Sequence, residues 1–168
     1  MLNMKNIFII SVGGTFEKEY HRGAGVVNYD FGKKSKAEEI LKLVNFKSFK
    51  VNFPKGLVKD STEMTDLDRT KLLSILKTTD KPTVLIHGTD TLIKTAKYLS
   101  ESLLDDKLVV LTGATTPWIN RDTDAEFNLG GAIAIAQTSI KGVYIFMNGK
   151  LFSPFNCKKN SKGVFEEI

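Results

Sequence analysis

Two threonines in this chain stand directly after glycines at the ends of short apolar runs, and a hydroxyl so placed is a candidate nucleophile. The first is Thr15 in Gly13-Gly14-Thr15, which follows the run from Ile7 to Val12. The glycines let backbone approach a ligand closely while a hydroxyl is held at the mouth of the turn. Taken alone, the segment reads first as a tight turn that happens to contain a threonine. The second is Thr89 in His87-Gly88-Thr89-Asp90-Thr91, where a hydroxyl–carboxylate pair runs into a helix whose first turn offers free N–H groups. A threonine hydroxyl is a poor nucleophile until a neighbouring base takes its proton. Asp90 and a lysine are suited to that task. Thr89, Asp90 or Thr91 is also suited to capping the helix, and His87 reads as a strand-end residue with a hydrogen-bonded ring.

Other chemistries find no support in the sequence. There is no Cys/His cluster with zinc spacing and no carboxylate-rich calcium loop, so neither a metal nor a cofactor is expected. Gly23-Ala24-Gly25 neither follows a strand nor opens a helix, and Gly13-Gly14-Thr15 lacks the lysine of a phosphate-binding loop. The net charge of +5 arises from 24 basic and 19 acidic residues spread along the chain, with only small clusters at Lys33-Lys34-Ser35-Lys36 and Lys158-Lys159. A solvated surface, with no nucleic-acid partner, is the expectation. No stretch approaches the roughly 20 apolar residues that cross a bilayer, so no membrane association is expected. Cys157 is the single cysteine, which rules out an intrachain disulfide and points to a reducing compartment, the cytoplasm. The run from Ile7 is cut short by glycines and followed by Glu17-Lys18-Glu19, so it reads as a buried strand and not as a signal peptide.

The elements that must position these residues alternate in type. Buried strands are predicted over Ile7 to Val12, Phe49 to Phe53, Thr83 to His87, Leu108 to Thr112 and Val143 to Met147. Helical spacing of apolar residues predicts helices over Ala37 to Val44, Asp66 to Lys77, Thr91 to Leu104 and Phe127 to Gln137. The segment from Phe16 to Gly32 reads as a mobile loop or hairpin, and the tail after Asn148 as polar and turn-rich. With 168 residues, 42% of them hydrophobic, the chain fits one domain, 1–168. The predicted class is α/β: three layers around a mostly parallel sheet of about five strands, Rossmann-like or flavodoxin-like. In such sheets ligands bind beyond the carboxyl ends of the strands, where strand order reverses. Those ends carry Gly13-Gly14-Thr15, Asp60-Ser61-Thr62, His87-Gly88-Thr89-Asp90-Thr91, Gly113-Ala114-Thr115 and Asn148.

Taken in order, these segments resemble the bacterial L-asparaginase/glutaminase family, from Ile7 to about Ser161. The resemblance rests on Gly13-Gly14-Thr15, Asp60-Ser61-Thr62-Glu63-Met64, and His87-Gly88-Thr89-Asp90-Thr91 with Thr95-Ala96. Leu111-Thr112-Gly113-Ala114 with Pro117, and Asp124-Ala125-Glu126-Phe127-Asn128-Leu129, extend it. It implies an amidohydrolase in which Thr15 attacks the side-chain amide carbonyl of asparagine or a related small amide. Thr89, Asp90 and Lys159, with Lys158 as the alternative, would handle protons, and Tyr29, or else Tyr20, would assist. Ser61 would bind the substrate α-carboxylate and Asp90 the α-ammonium, with Gly14, Thr62, Gly88 and Ala114 lining the site. Two departures bear on substrate choice: Thr116 stands where the family usually has arginine, and Thr62-Glu63 replaces the more usual pair after the serine. Family members continue into a carboxy-terminal domain absent from these residues. The resemblance therefore implies one of three states: a single-domain amidase with another substrate, one half of a site completed by another subunit, or a non-catalytic relic. A module that binds a small amino acid or amide without turning it over is the alternative function. An open site gains shelter by docking, so a homo-oligomer is expected.

Overall fold

A computed structural model describes residues 6–23, 26–54, 56–103, 106–138 and 140–168, with side chains described except at 21–29. Its frame is a six-stranded sheet built from β1 (Ile7–Ser11), β4 (Phe49–Asn52), β5 (Thr83–Ile86), β6 (Leu108–Thr112), β7 (Gly142–Met147) and β8 (Lys150–Phe152). The spatial order is β4-β1-β5-β6-β7-β8. All pairings are parallel except β7 with β8. The chain moves outward from β1 to β4 and then returns past β1 to β5. Strand order therefore reverses between β1 and β5, the place where sheets of this kind bind ligands beyond the carboxyl ends of their strands.

Each central strand is apolar on both faces because both faces are covered. Ile10, Leu85, Leu111 and Ile145 point to one side, where they pack on Leu72 and Leu76 of α2 (Asp66–Lys77) and Leu99 of α3 (Leu92–Ser102). Ile9, Val84, Ile86 and Val110 point to the other, against Ile40 of α1 (Lys36–Leu43) and Leu129 and Ile133 of α4 (Ala125–Ala136). This alternation of side is the period of two along a strand. Each fully buried Leu or Ile contributes roughly 1.5–3 kcal/mol through loss of apolar surface to water. The small residues of α4 allow close packing: the Phe146 ring lies where a Cβ on Gly131 would stand. Among the described residues no helix is long and apolar enough to cross a membrane.

The α/β class is as the periodicity predicts, but the sheet has six strands, not about five. The sixth, β8, comes from Asn148-Gly149, whose φ angles of 53° and 76° form a two-residue hairpin turn that pairs Met147 with Lys150. The segment predicted as a loop or hairpin is an antiparallel pair, β2 (Lys18–Gly23) with β3 (Val26–Phe31), preceded by a short 3-10 turn at Thr15–Glu17. Phe16 and Glu17 are buried in that turn. The tail forms a second small hairpin, β9 (Lys158–Lys159) with β10 (Phe165–Glu166).

Helix α2 opens on a capping box. Thr65 Oγ1 accepts from Asp68 N at 3.2 Å, and Asp68 Oδ2 accepts from Thr65 N at 3.0 Å. Asp68 also receives Lys59 Nζ at 2.9 Å, which ties the start of the helix to the loop before Ser61. The Thr65 N–H bond above all, then the lysine, holds the Asp68 carboxyl down at about 2. Thr65→Ala should lower the unfolding free energy by about 1 kcal/mol, within 0.5–2, in urea titration. An unchanged midpoint would contradict the capping role.

Candidate active site

Four strand-end loops meet at the reversal point, and their closest approaches are between backbones. The ladder continues past β1: Lys59 N donates to Val12 O and Gly14 N to Lys59 O, both at 3.1 Å. This brings the Asp60-Ser61 loop alongside Gly13-Gly14. Gly14 has φ of 78°, and a methyl there would strike the Gly88 backbone. A Cβ on Gly88 would lie 2.6 Å from both Cβ and Oγ of Ser61 and 3.2 Å from Gly14 Cα. No residue with a side chain fits either position. Thr15 and Thr89 each follow one of these glycines, so the backbone contact brings the two residues into one neighbourhood.

Lys159 enters from the tail. Its Nζ donates to Thr89 Oγ1 at 2.9 Å and to Asp90 Oδ1 at 2.6 Å. Thr89 is buried, whereas the Asp90 side chain is 57% exposed and that of Lys159 24% exposed. Lys158, the neighbouring strand residue, instead lies 3.5 Å from Glu166 in an exposed pair. Of the two lysines in the motif, Lys159 is the one that reaches the threonine. Its strand is fixed by β10, where Phe165 is buried and its N–H donates to Asn148 Oδ1 at 2.9 Å. Asn160 builds the turn between the two strands: its Oδ1 accepts from Lys162 N and Val164 N, and its Nδ2 donates to Glu166.

The remaining predicted residues occupy distinct places. Ser61 is buried, and its carbonyl accepts from Thr91 Oγ1 at 2.8 Å, which clamps the serine loop to the start of α3. Thr91 therefore uses its hydroxyl across loops, and no side chain caps α3. Thr62 turns its hydroxyl to Asp60 Oδ1 at 2.8 Å. Asp60 also accepts from Thr62 N and pairs with Lys18 Nζ at 2.9 Å, and these contacts, the Thr62 N–H first, depress its carboxyl to about 2. Ala114 packs in the interior beneath α4. Tyr20 is exposed and pairs in register with Tyr29, whose side chain lies outside the described residues. The His87 ring is hydrogen-bonded at both nitrogens.

Three supports hold these loops in ways the motifs do not assign, although Asp60, Asp124 and Asn128 stand within them. Asp124 accepts from Thr115 N at 2.9 Å and from Asn128 Nδ2 at 2.9 Å, and Asn128 Nδ2 also donates to Gly113 O at 3.1 Å. These residues fix the Gly113-Ala114 loop. Lys18 and Asp60 join the base of the hairpin to the serine loop. Glu17, two residues beyond Thr15, is buried: its Oε1 accepts from Ser11 Oγ and Ser35 Oγ, and its Oε2 from Lys36 N, all at 2.6 Å. The end of β1, the Thr15 turn and the start of α1 are thereby held by one carboxyl.

Burial raises the Glu17 carboxyl above its usual 4.5, with the two serine hydroxyls and Lys36 offsetting part of that rise. A carboxyl whose value is higher folded than unfolded contributes stability in full below the unfolded value and loses it as pH rises through the folded one. Asp60 and Asp68, with lowered values, work in the opposite sense but are common to wild type and Glu17→Gln. The stability of wild type minus that of Glu17→Gln, from urea unfolding between about pH 4 and about pH 8, should fall as pH rises and then level off. A difference that grows with pH would contradict this.

Comparison with known proteins identifies the family. Residues 6–167 match the family model described as Asparaginase, N-terminal. A probable periplasmic L-asparaginase of Haemophilus influenzae is 30% identical over 95% of this chain and 47% of its own length. One subunit of a glutamyl-tRNA(Gln) amidotransferase from Methanococcus vannielii is 26% identical over 89% of this chain and 35% of its own. The fold is shared with L-asparaginase I of Vibrio cholerae, at TM-score 0.80 and 23% identity, over 98% of this chain and 51% of that one. A probable cytoplasmic L-asparaginase of Campylobacter jejuni gives 0.79 at 26% identity, over 97% and 53%. The chain thus spans about half the length of these asparaginases, and less of the amidotransferase. It belongs to the asparaginase family, whose amino-terminal domain it matches over residues 6–167.

Proposed function

We propose that the chain is an amidohydrolase of the asparaginase type, acting on asparagine or a related small amide. The observation that carries this reading is the Lys159 amine shared by Thr89 Oγ1 and Asp90 Oδ1, one residue beyond the contact of Gly14 with Gly88. Thr15 Oγ1 attacks the amide carbonyl, and its proton passes through Thr89, Asp90 and Lys159 to the leaving nitrogen. Ammonia departs and leaves an ester on Thr15. Water then attacks that ester, and the acid and the free threonine are regenerated. Lys159 donates to Thr89, so the Thr89 hydroxyl hydrogen is free to turn toward the incoming group. Ser61, beside Gly88, meets the substrate α-carboxylate, and the Asp90 carboxylate pairs with its α-ammonium. A single cysteine fits a cytoplasmic setting.

The exposure of the Asp90 side chain, at 57%, favours a second reading in which the site is one half of a whole and another subunit covers it. A homo-oligomer would serve both readings. Ammonia release should be measured over asparagine, glutamine and simple amides, with the oligomeric state read by light scattering. Thr15→Ala and Thr89→Ala should each lower turnover by about 10²–10⁴ while the circular dichroism spectrum stays unchanged. Full turnover in either folded variant would reject the assigned roles. Saturable amino-acid binding with no ammonia in wild type would replace catalysis by a binding function.

A further inference from the structure

Behind the site lies a line of buried polar side chains that the reaction above does not use. Arg69, on α2, is 1% exposed and so is a cation inside the protein. Its Nη1 donates to Met64 O at 3.1 Å and to Asp66 Oδ1 at 2.9 Å, while Nη2 is buried without a partner among the described residues. Asp66, its acidic partner, has a side chain 72% exposed. A charge so placed is a costly way to stabilise an interior, since well-packed apolar residues commonly replace buried ion pairs without loss. Its value must come from direction.

Arg69 Nε donates to Thr95 Oγ1 at 3.0 Å, Thr95 Oγ1 lies 2.9 Å from His87 Nε2, and His87 Nδ1 lies 2.8 Å from Gly88 O. The two ends of this line, with a neutral ring between them, fix the sense of every bond in it. A guanidinium can only donate, and a carbonyl oxygen can only accept. His87 therefore carries its hydrogen on Nδ1 and gives it to Gly88 O. Its Nε2, which carries no hydrogen in the neutral ring, accepts the Thr95 hydrogen. Burial, with the nearby Arg69 cation, lowers the His87 ring to about 4, so the ring is neutral and Nε2 is free to accept. Met64 Sδ, 3.0 Å from Nε2, is the other neighbour on that side. In a trans peptide the C=O and N–H directions are coupled, so a carbonyl held from behind sets the plane of the Gly88–Thr89 unit. Gly88 is also the residue against which Gly14 and Ser61 pack.

We propose that Arg69, Thr95 and His87 form a one-directional hydrogen-bond relay that locks the Gly88–Thr89 peptide, making Thr95 and His87 positioning residues for the Thr89–Lys159 pair. The kinetic consequence rests on the amidohydrolase reading; the state of the ring does not. Thr95→Val keeps the shape and removes the relaying hydroxyl, and Thr95→Ser restores it. Nitrogen-15 spectra of the histidine rings, assigned with His21→Asn since the chain has two histidines, should show wild-type His87 neutral at pH 7 with its proton on Nδ1. Amide exchange at Gly88 and Thr89 should be about tenfold faster in Thr95→Val than in Thr95→Ser, with β5 unchanged. Ammonia release should show kcat reduced about tenfold in Thr95→Val, KM nearly unaltered, and recovery in Thr95→Ser. A wild-type ring protonated on Nε2, or charged at pH 7, overturns the relay. So does a Thr95→Val protein with unchanged exchange at Gly88 and Thr89. Should Thr95→Val fail to fold, the wild-type ring and the Thr95→Ser protein still decide. If wild type releases no ammonia, the amidohydrolase reading fails alone, and the ring and exchange data still judge the relay.

Discussion

The contact of Gly14 with Gly88, and of Gly88 with Ser61, is the constraint on which the site depends. Three loops from β1, β4 and β5 can share one point only if nothing but backbone and a single small side chain stands between them. The parallel sheet supplies the convergence, because order reverses between β1 and β5 and leaves their ends without a covering connection. The glycines remove the side chains that would otherwise hold the loops apart. Thr15 and Thr89 gain their common location from this packing, before any hydrogen bond is made.

Polar groups then fix what the packing brings together, Glu17 and Asn128 from inside. Glu17 holds the Thr15 turn to the end of β1 and the start of α1, and Asp124 with Asn128 holds the Gly113 loop. Asn148 holds the hairpin that delivers Lys159. The buried Glu17 carboxyl is tolerated at this end of the sheet because both of its oxygens meet O–H or N–H donors. Such groups cost more than apolar ones when any member is lost, which makes this the least permissive part of the fold to substitution.

The sheet was legible because its strands are short, continuous apolar runs; β6 and α2 coincide with their predicted bounds, Leu108–Thr112 and Asp66–Lys77. Asn148-Gly149 is a strong hairpin signal that a polar tail obscured, since β8 contributes only Lys150–Phe152. Arg69 was readable in principle: it lies three and seven residues before Leu72 and Leu76, on the apolar face of α2, where a charge is out of pattern. Glu17 was not readable, because its partners at 11, 35 and 36 meet it only after three elements have packed. Resemblance to the family supplied Lys159 by counting, and geometry supplies the reason, since strand alternation turns Lys158 away.

The central claim is that a covalent ester forms on one particular hydroxyl. Mixing the chain with asparagine, quenching in acid within milliseconds and mapping peptides by mass spectrometry tests it most directly. The account predicts an aspartyl adduct, asparagine less ammonia, on the peptide that contains Thr15. Ammonia release with no adduct at any quench time, or an adduct carried by Thr89 instead, would contradict it.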